Sequence, residues 1–272
     1  MIRNGIREAW AAGKPVLNGW LSIASPFTAE IMAAQGYDSV TIDLQHGLVG
    51  HEVGATMLQA MRASGVTPMV RAPWLDPADI MRALDAGAYG VICPMVNTRE
   101  EAEKLVSYVR YPPRGSRSFG PTRAVFSAGA DYGQLADDEV LCLAMIETGE
   151  AFANLDAIVS TPGLDGVYIG PVDLTLGLTG RRYPTGFDRE EPEMVEAIRT
   201  ILARSHEAGI RAAIHTGSPT YAAKAIGWGF DLVTISNDVR LLAAAAQASV
   251  AAARKLIGEQ GTPGAPAAGG GY

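Results

Sequence analysis

The sequence predicts an α/β fold, a TIM (β/α)8 barrel, and three observations favour it. Runs rich in apolar and β-branched residues alternate eight times with runs of helical periodicity. Such alternation is typical of parallel strands joined by crossover helices, and eight of these units close a barrel. The chain has 272 residues, 48% of them hydrophobic, and one barrel of about 250 residues is a common size for a single domain.

The third observation is how the helical runs end. The predicted strands are, in order, PVLNGWLS (15–22), SVTIDLQH (39–46), TPMVRAP (67–73), GVICPMV (90–96), VLCLAMIE (140–147), GVYIGPV (166–172), RAAIHT (211–216) and LVTISN (232–237). The predicted helices lie at 26–36, 51–64, 76–87, 98–110, 149–160, 189–208, 219–228 and 238–257. Several helices end in a glycine motif: QGYD, ASGV, DAGAYG, EAGIR and GWGFD. Glycine just past the last turn takes the left-handed conformation that stops a helix and turns the chain toward the next strand.

Residues 1–258 are expected to form this one barrel domain, including a C-terminal helix. The segment 111–139 is rich in Gly, Pro and Arg and is too long for an ordinary connection, so it is either a functional flap or an interface element. The tail 259–272 has no apolar periodicity and is expected to be disordered. The last helix, 238–257, is alanine-rich on more than one face, which predicts a homo-oligomer.

The composition narrows the possible partners and location. A net charge of −7 and a pI near 5.2 argue against nucleic acid and anionic membranes, because both require a basic surface. The sequence contains neither an apolar run of about 20 residues nor the apolar core of a signal peptide, so a cytoplasmic protein is expected. Cys93 and Cys142 fall inside predicted strands without a CxxC spacing and are expected to be buried thiols.

Two carboxylates end neighbouring predicted strands. In a barrel of this type the chemistry lies at the carboxyl ends of the strands, which meet in one mouth. Glu147 ends the fifth strand, and Asp173 follows the sixth after a Gly-Pro turn. Two oxygen ligands with the remaining positions left to water or substrate suit a hard divalent cation such as Mg2+ or Mn2+. The alternative is that either acid only caps the following helix.

The second and third strands end in further polar groups. Arg71 would point a permanent cation into the same mouth, where it could hold an anion; the alternative is a salt bridge at the rim. Asp43 and His46 end the second strand, and an imidazole oriented by Asp43 would be a general base near neutral pH. This hydrogen bond requires the strand to end at about Leu44 or Gln45. The alternative for His46 is a structural histidine.

Other residues of the mouth are less informative. His215 ends the seventh strand and is expected to line the pocket, as is Trp20. The turn HTGS after strand 7 could bind a phosphate, but SNDVR after strand 8 offers no matching glycine turn. The four lysines, Lys14, Lys104, Lys224 and Lys255, all fall outside the predicted mouth. A Schiff base is therefore not expected, and carbonyl activation must come from a metal.

Several motifs together resemble a known family. These are TIDLQHG, MVRAPWLDPADIMRALDAGAYGVICPMVNTREEAE, RYPPRGSRSFGPTRA, and IET followed by YIGPVDL. Across roughly residues 15 to 255 the chain is similar to the HpcH/HpaI family of metal-dependent pyruvate aldolases, which are barrels of the phosphoenolpyruvate/pyruvate type. The resemblance implies retro-aldol cleavage of a 4-hydroxy-2-oxo acid to pyruvate or hydroxypyruvate and an aldehyde. It also implies a divalent cofactor (Mg2+, Mn2+ or Co2+) and a trimer or hexamer.

The resemblance implies roles for individual residues. Glu147 and Asp173 would bind the metal, Arg71 the keto oxygen, and His46 would act as base with Asp43. The backbone around Gly170, Pro171, Val172, Asp173 and Leu174 would hold the substrate carboxylate. Asp85 would be supplied by an adjacent subunit. Gln45 departs from the glutamate common in relatives, which leaves metal preference and pH behaviour open.

Two other functions stay open at this stage. An acyl-CoA lyase of the citrate-lyase type should carry a basic patch for the CoA phosphates, and the cluster Arg110, Arg114, Arg117 and Arg123 could serve. A non-catalytic binding barrel should have lost at least one of the mouth residues, and none is lost. The sequence does not identify the aldehyde.

Overall fold

The computed structural model describes residues 1–258 and contains a closed barrel of eight parallel strands, with β1 paired to both β2 and β8. The strands are β1 (Val16–Leu21), β2 (Ser39–Asp43), β3 (Thr67–Arg71), β4 (Gly90–Cys93), β5 (Leu141–Ile146), β6 (Gly166–Ile169), β7 (Arg211–Thr216) and β8 (Leu232–Ile235). The predicted fold is therefore confirmed. The prediction for the tail 259–272 lies outside the described residues.

Helices follow or precede every strand. They are α1 (Gly5–Ala11), α2 (Pro26–Ala33), α3 (His51–Ala60), α4 (Pro77–Asp85), α5 (Arg99–Val109), α6 (Ala124–Ala128), α7 (Tyr132–Glu139), α8 (Gly149–Ala153), α9 (Leu155–Val159), α10 (Pro171–Thr179), α11 (Pro192–Glu207), α12 (Pro219–Trp228) and α13 (Asp238–Leu256). A short 3-10 turn, Met61–Ala63, extends α3. The predicted helix 149–160 is divided in two at Asn154.

Several predicted strand ends were too late: β2, β4 and β6 each end three residues earlier than predicted, and β3 and β8 two residues earlier. Strand β2 ends at Asp43 rather than at residue 46, because the Asp43 carboxylate accepts the backbone amides of Gln45 and His46 and turns the chain. Strand β6 ends at Ile169 rather than at residue 172, because Pro171 opens a helix there. Proline is favoured at the first position of a helix, where the missing N–H is not needed.

Side chains fill the barrel interior, so it is a packed core and not a channel. Trp20, Met69 and Tyr168 are among the large buried residues of this interior. Helix α1, which the sequence did not predict, closes the end where the strands begin, with Ile6 and Trp10 packed into the same cluster. A second, larger cluster lies between the barrel and its helices and contains the two buried free thiols Cys93 and Cys142.

The segment 111–139 packs at the end of the barrel opposite the mouth. It joins the end of α5 to the start of β5 and contains α6 and α7. Arg117 is buried there and pairs with Asp85 at 2.6 Å, at the end of α4. The segment is therefore not a flap over its own mouth, and its role as an interface element stays a prediction.

Helix α13 leaves the barrel after its first turn. Asp238 is its one buried residue, and Leu242, Val250 and Leu256 are more than half exposed. Among the residues that the structure describes, no helix combines the length and the apolar character that crossing a membrane requires.

Candidate active site

The first element of the site is a buried ion pair that strand register creates. Asp43 and Arg71 are Cα partners at the ends of β2 and β3. The Arg71 guanidinium donates from Nε to Asp43 Oδ1 (2.8 Å) and from Nη2 to Oδ2 (2.5 Å). Trp20 Nε1 donates to the same carboxylate at 3.3 Å. Burial opposes ionisation of Asp43, but these donors and the charge of Arg71 outweigh it and hold its pKa below the ordinary value.

Asp43 therefore has a different partner from the one that the sequence suggested. Its contact with His46 runs through the His46 backbone amide, at 3.1 Å from Oδ1, while the guanidinium of Arg71 lies along the carboxylate. His46 itself is exposed at the mouth. Partial burial of the imidazole and the charge of Arg71 lower its pKa, against the opposing influence of Asp43 and Asp173. The imidazole is therefore neutral at neutral pH, which is the form that a base requires.

Glu147 follows β5 and is almost fully buried. Its Oε1 accepts the backbone amide of Met95 at 2.8 Å. Met95 has a left-handed φ of 56°, and its carbonyl accepts Asn97 Nδ2. A Cβ at Gly170 would lie 2.5 Å from Glu147 Oε2, so glycine at this position leaves the room that the carboxylate occupies. The pKa of Glu147 is raised to about 7, chiefly by burial and further by the charge of Asp173, while the Met95 amide and the charge of Arg71 oppose the rise.

Asp173 lies in the first turn of α10, next to the mouth cavity. The amides of the first helical turn have no carbonyl four residues earlier in the helix to bind, so they can hold an anion. Pro171 has no N–H, and the amide of Leu174 already donates to the Gly170 carbonyl at 3.0 Å. Within residues 171–174, the amides of Val172 and Asp173 are the ones that stay available for the predicted carboxylate contact.

One cavity is lined by two of these charged residues, Arg71 and Asp173. It has an empty volume of about 260 Å³, part of it open to solvent, and its lining residues are Trp20, Arg71, Met145, Tyr168, Gly170, Val172, Asp173, Phe187 and His215. A larger cavity of about 850 Å³ lies at the opposite end of the barrel. We place the site in the smaller one because the charged groups of β3 and α10 converge there.

The wall formed by β6 and β7 is aromatic. His215 stacks on Phe187 with ring centroids 4.2 Å apart and meets the edge of Trp20 at 5.0 Å. Neither Phe187 nor Tyr168 was predicted from the sequence. Tyr168 could have been found, because the period of two places it two residues before Gly170 on one face of the strand. Phe187 comes from the loop between α10 and α11, and nothing in its sequence marks it.

The acids of the mouth suit a divalent cation. Within residues 1–258 no group of three or more His, Cys, Asp and Glu side chains is arranged for a metal. Glu147 and Asp173 are nevertheless close enough for the negative charge of one to raise the pKa of the other. A hard cation would relieve that repulsion and accept both carboxylates, with water and substrate oxygens completing its coordination.

Comparison with known proteins agrees with this geometry. The sequence profile described as HpcH/HpaI aldolase/citrate lyase matches residues 17–245. The chain belongs to the HpcH/HpaI family. A hydroxypyruvate/pyruvate aldolase of Rhizorhabdus wittichii is 47% identical over 253 residues, covering 93% of this chain and all of the relative. A 4-hydroxy-2-oxo-heptane-1,7-dioate aldolase of Salmonella paratyphi A is 34% identical over 96% of this chain and 99% of its own.

Solved structures of HpcH/HpaI proteins share the fold. The HpcH/HpaI aldolase from Desulfitobacterium hafniense DCB-2 superposes with a TM-score of 0.84 at 26% identity, covering 94% of this chain and 98% of that one. The family resemblance inferred from the motifs is therefore confirmed.

Two remaining features of this HpcH/HpaI chain concern residues singled out in the sequence. Asp85 lies at the end of α4, on the far side of the barrel from its own mouth, so this chain does not bring it to the site by itself. The HTGS turn is closed internally, because Gly217 N and Ser218 Oγ both donate to Asp188, at 2.6 and 2.7 Å. An external phosphate would have to displace that carboxylate.

Proposed function

We propose that the protein is a metal-dependent aldolase that reversibly cleaves a 4-hydroxy-2-oxo acid to pyruvate or hydroxypyruvate and an aldehyde. The observation that carries the proposal is the placement of Arg71, locked on Asp43, in one cavity with Asp173 beside Glu147. The two aldolase relatives, at 47% and 34% identity, support the same class of reaction.

Glu147 and Asp173 would hold the divalent cation, Mg2+, Mn2+ or Co2+. When bound, such an ion polarises the 2-oxo group as a Lewis acid. The Arg71 guanidinium adds a fixed positive charge at the same oxygen, and its two bonds to Asp43 keep it oriented before substrate arrives. The amides of Val172 and Asp173 would hold the substrate carboxylate.

His46 supplies the proton transfer in this proposal. Its neutral imidazole takes the proton of the 4-hydroxyl, the C3–C4 bond breaks, and the bonding electrons pass to C3. Protonation of the resulting enolate at C3 releases the 2-oxo acid. An exposed position at the mouth suits a group that must meet both the arriving aldehyde and solvent.

The lysines support a metal in preference to a Schiff base. Lys224 pairs with Glu190 on the outer face of α12, and Lys14 lies at the opposite end of the barrel. None of the four lysines, all within residues 1–258, lines the mouth cavity.

The arrangement of arginines disfavours the acyl-CoA lyase alternative. Three of the four arginines in the cluster, Arg110, Arg114 and Arg117, are each paired with an aspartate, at 2.7, 2.6 and 2.6 Å. For these three, CoA phosphates would compete with internal carboxylates, and the fourth, Arg123, donates to the Ala86 carbonyl. The retained mouth residues likewise disfavour a non-catalytic barrel.

We further propose that the protein is a homo-oligomer, a trimer or hexamer, located in the cytoplasm. The exposed apolar side chains of α13, such as Leu242 and Val250, would be covered by a neighbouring subunit.

Removal of metal ions by a chelator distinguishes activation of the 2-oxo group by a metal from activation through a lysine Schiff base. Aldol addition of pyruvate and of hydroxypyruvate to a panel of aldehydes is measured before and after EDTA, and after adding back each cation. Activity should vanish and then return with Mg2+, Mn2+ or Co2+. Borohydride with pyruvate should leave the protein mass unchanged. Activity that survives exhaustive chelation, or a reduced pyruvyl adduct on a lysine, would overturn the proposal.

A further inference from the structure

One residue that lines the mouth cavity, His215, has a buried polar atom without a partner within residues 1–258. His215 Nε2 is buried and has no hydrogen-bond partner among the described residues, and the whole residue is 5% exposed. Buried polar atoms in native proteins are nearly always paired, and leaving one unpaired costs free energy. Because His215 is one of the lining residues of the cavity, its Nε2 is a candidate partner for a ligand bound there.

The imidazole is held firmly in this orientation. Its Nδ1 lies 3.1 Å from Tyr168 Oη, which bonds Thr234 Oγ1 at 2.7 Å. Tyr168 and Thr234 are themselves fully buried. The stack on Phe187 and the edge contact with Trp20 fix the ring plane. Turning Nε2 toward another partner by a flip of the ring would break the hydrogen bond between Nδ1 and Tyr168.

The same imidazole carries no charge at neutral pH. Burial, followed by the charge of Arg71, lowers the pKa of His215 to about 3. It therefore neither holds an anion nor transfers a proton in the reaction. Depending on the tautomer, Nε2 either accepts or donates one hydrogen bond. A hydroxyl group can do both and so complements either tautomer, whereas a methyl group complements neither.

The location of His215 on β7 determines which substituent of the substrate its imidazole can contact. A bound 2-oxo acid has three substituents on its carbonyl carbon: the oxo oxygen, the carboxylate and C3. In the proposed function the first two are held by the cation, Arg71 and the α10 amides. The remaining substituent, C3, is left for the wall of β7. In pyruvate this carbon is a methyl group, and in hydroxypyruvate it carries a hydroxyl.

We propose that His215 Nε2 binds the C3 hydroxyl and selects hydroxypyruvate over pyruvate, so that the preferred substrates are 3,4-dihydroxy-2-oxo acids. This inference rests on the proposed function. In cleavage the C3–C4 bond breaks, its electron pair stays on C3, and the 4-hydroxyl proton leaves to His46. His215 keeps its own proton throughout. Tyr168 is a positioning residue, because it acts on the substrate only through the imidazole.

The experiment compares the two oxo acids in one protein. The ratio of kcat/KM for hydroxypyruvate to that for pyruvate is measured with a common aldehyde and saturating Mg2+. Binding of each oxo acid without aldehyde is measured by calorimetry. The wild type should favour hydroxypyruvate about tenfold in both measurements, the magnitude of one hydrogen bond with a buried partner. In His215→Phe both ratios should fall to near one.

Two further variants separate recognition from folding. Tyr168→Phe should raise KM for hydroxypyruvate by a larger factor than KM for pyruvate. His206→Phe, at an exposed histidine paired with Asp231, should leave the ratio unchanged. If His215→Phe does not fold, two other measurements test the role of His215. One is the ratio of the calorimetric affinities of the wild type for the two oxo acids, and the other is the difference between the KM changes that Tyr168→Phe causes for them.

The possible failures are distinguishable. Equal use of both oxo acids by the wild type, or an unchanged ratio in an active His215→Phe variant, would overturn the role of His215 and leave the aldolase intact. A wild type that condenses neither oxo acid with any aldehyde would overturn both proposals.

Discussion

Replacing Arg71 by lysine tests the centre of the site, because the substitution keeps the positive charge and removes the planar guanidinium with its paired N–H donors. Arg71 is 2% exposed and makes two hydrogen bonds to Asp43, through Nε and Nη2. An ammonium can replace at most one of these with good geometry. Because a hydrogen bond to a charged group contributes about 1.5–3 kcal/mol, the free energy of unfolding should fall by about 2 kcal/mol.

The catalytic loss should be larger than the loss of stability. In the proposed mechanism the guanidinium would donate to the oxo oxygen, and removing one preorganised donor typically lowers kcat by about 100- to 1,000-fold. We therefore expect Arg71→Lys to lose at least about 100-fold in kcat/KM while the protein stays folded. Steady-state kinetics with hydroxypyruvate and urea denaturation of the same preparation measure the two effects.

A matched control separates this site from a general effect of the substitution. Arg99 pairs with Glu103 across one helical turn at the surface, at 2.9 Å. Surface pairs of this kind contribute little, so Arg99→Lys should change neither quantity measurably. Retention of near wild-type kcat/KM in Arg71→Lys would refute the proposed role of the planar Arg71 guanidinium.

Three other predictions concern the base, the acid pair and the assembly. His46→Ala should lower kcat with little change in Mg2+ affinity measured by calorimetry; metal release would instead make His46 a ligand. In metal-free protein, Glu147 keeps its proton up to about pH 7, whereas the unfolded chain loses it near 4.5. The free energy of unfolding should therefore fall by about 3 kcal/mol between pH 4.5 and pH 7. Glu147→Gln should make the free energy of unfolding less dependent on pH in this range. Equal urea midpoints of the chelated wild type at both pH values would contradict the prediction. Finally, sedimentation at micromolar concentration should give a mass well above 28.6 kDa, and a monomer would refute the proposed contact along α13.

Periodicity predicted the barrel but not all of its boundaries. The bounds of β7 match the sequence expectation because the run 211–216 lies between two turn signals. Strands β2 and β6 end earlier because of local events, the Asp43 turn and the Pro171 helix start, which hydrophobicity does not record. Helix α1 has only seven residues, too few for a clear period.

The site was predicted in its residue types more than in its pairings. Strand-end position was enough to bring Arg71, Asp173 and His215 to one cavity. The partner of Asp43 depends on the register of β2 against β3, which sets Asp43 opposite Arg71. Register is a property of two strands together, so neither strand's sequence specifies it alone. Phe187 reaches the cavity from an irregular loop and carries no periodic signal.

Met95 adopts a strained backbone conformation next to the buried carboxylate of Glu147. A side chain with a β-carbon at φ 56° costs about 1 kcal/mol or more, and glycine would remove that cost. The strained residue is the one whose amide meets the buried oxygen of Glu147. A search for stabilising substitutions would choose position 95 early, since Met95→Gly relaxes the backbone. The same relaxation would free the peptide to turn away from Glu147, so a more heat-resistant enzyme obtained in this way should hold its cation less tightly.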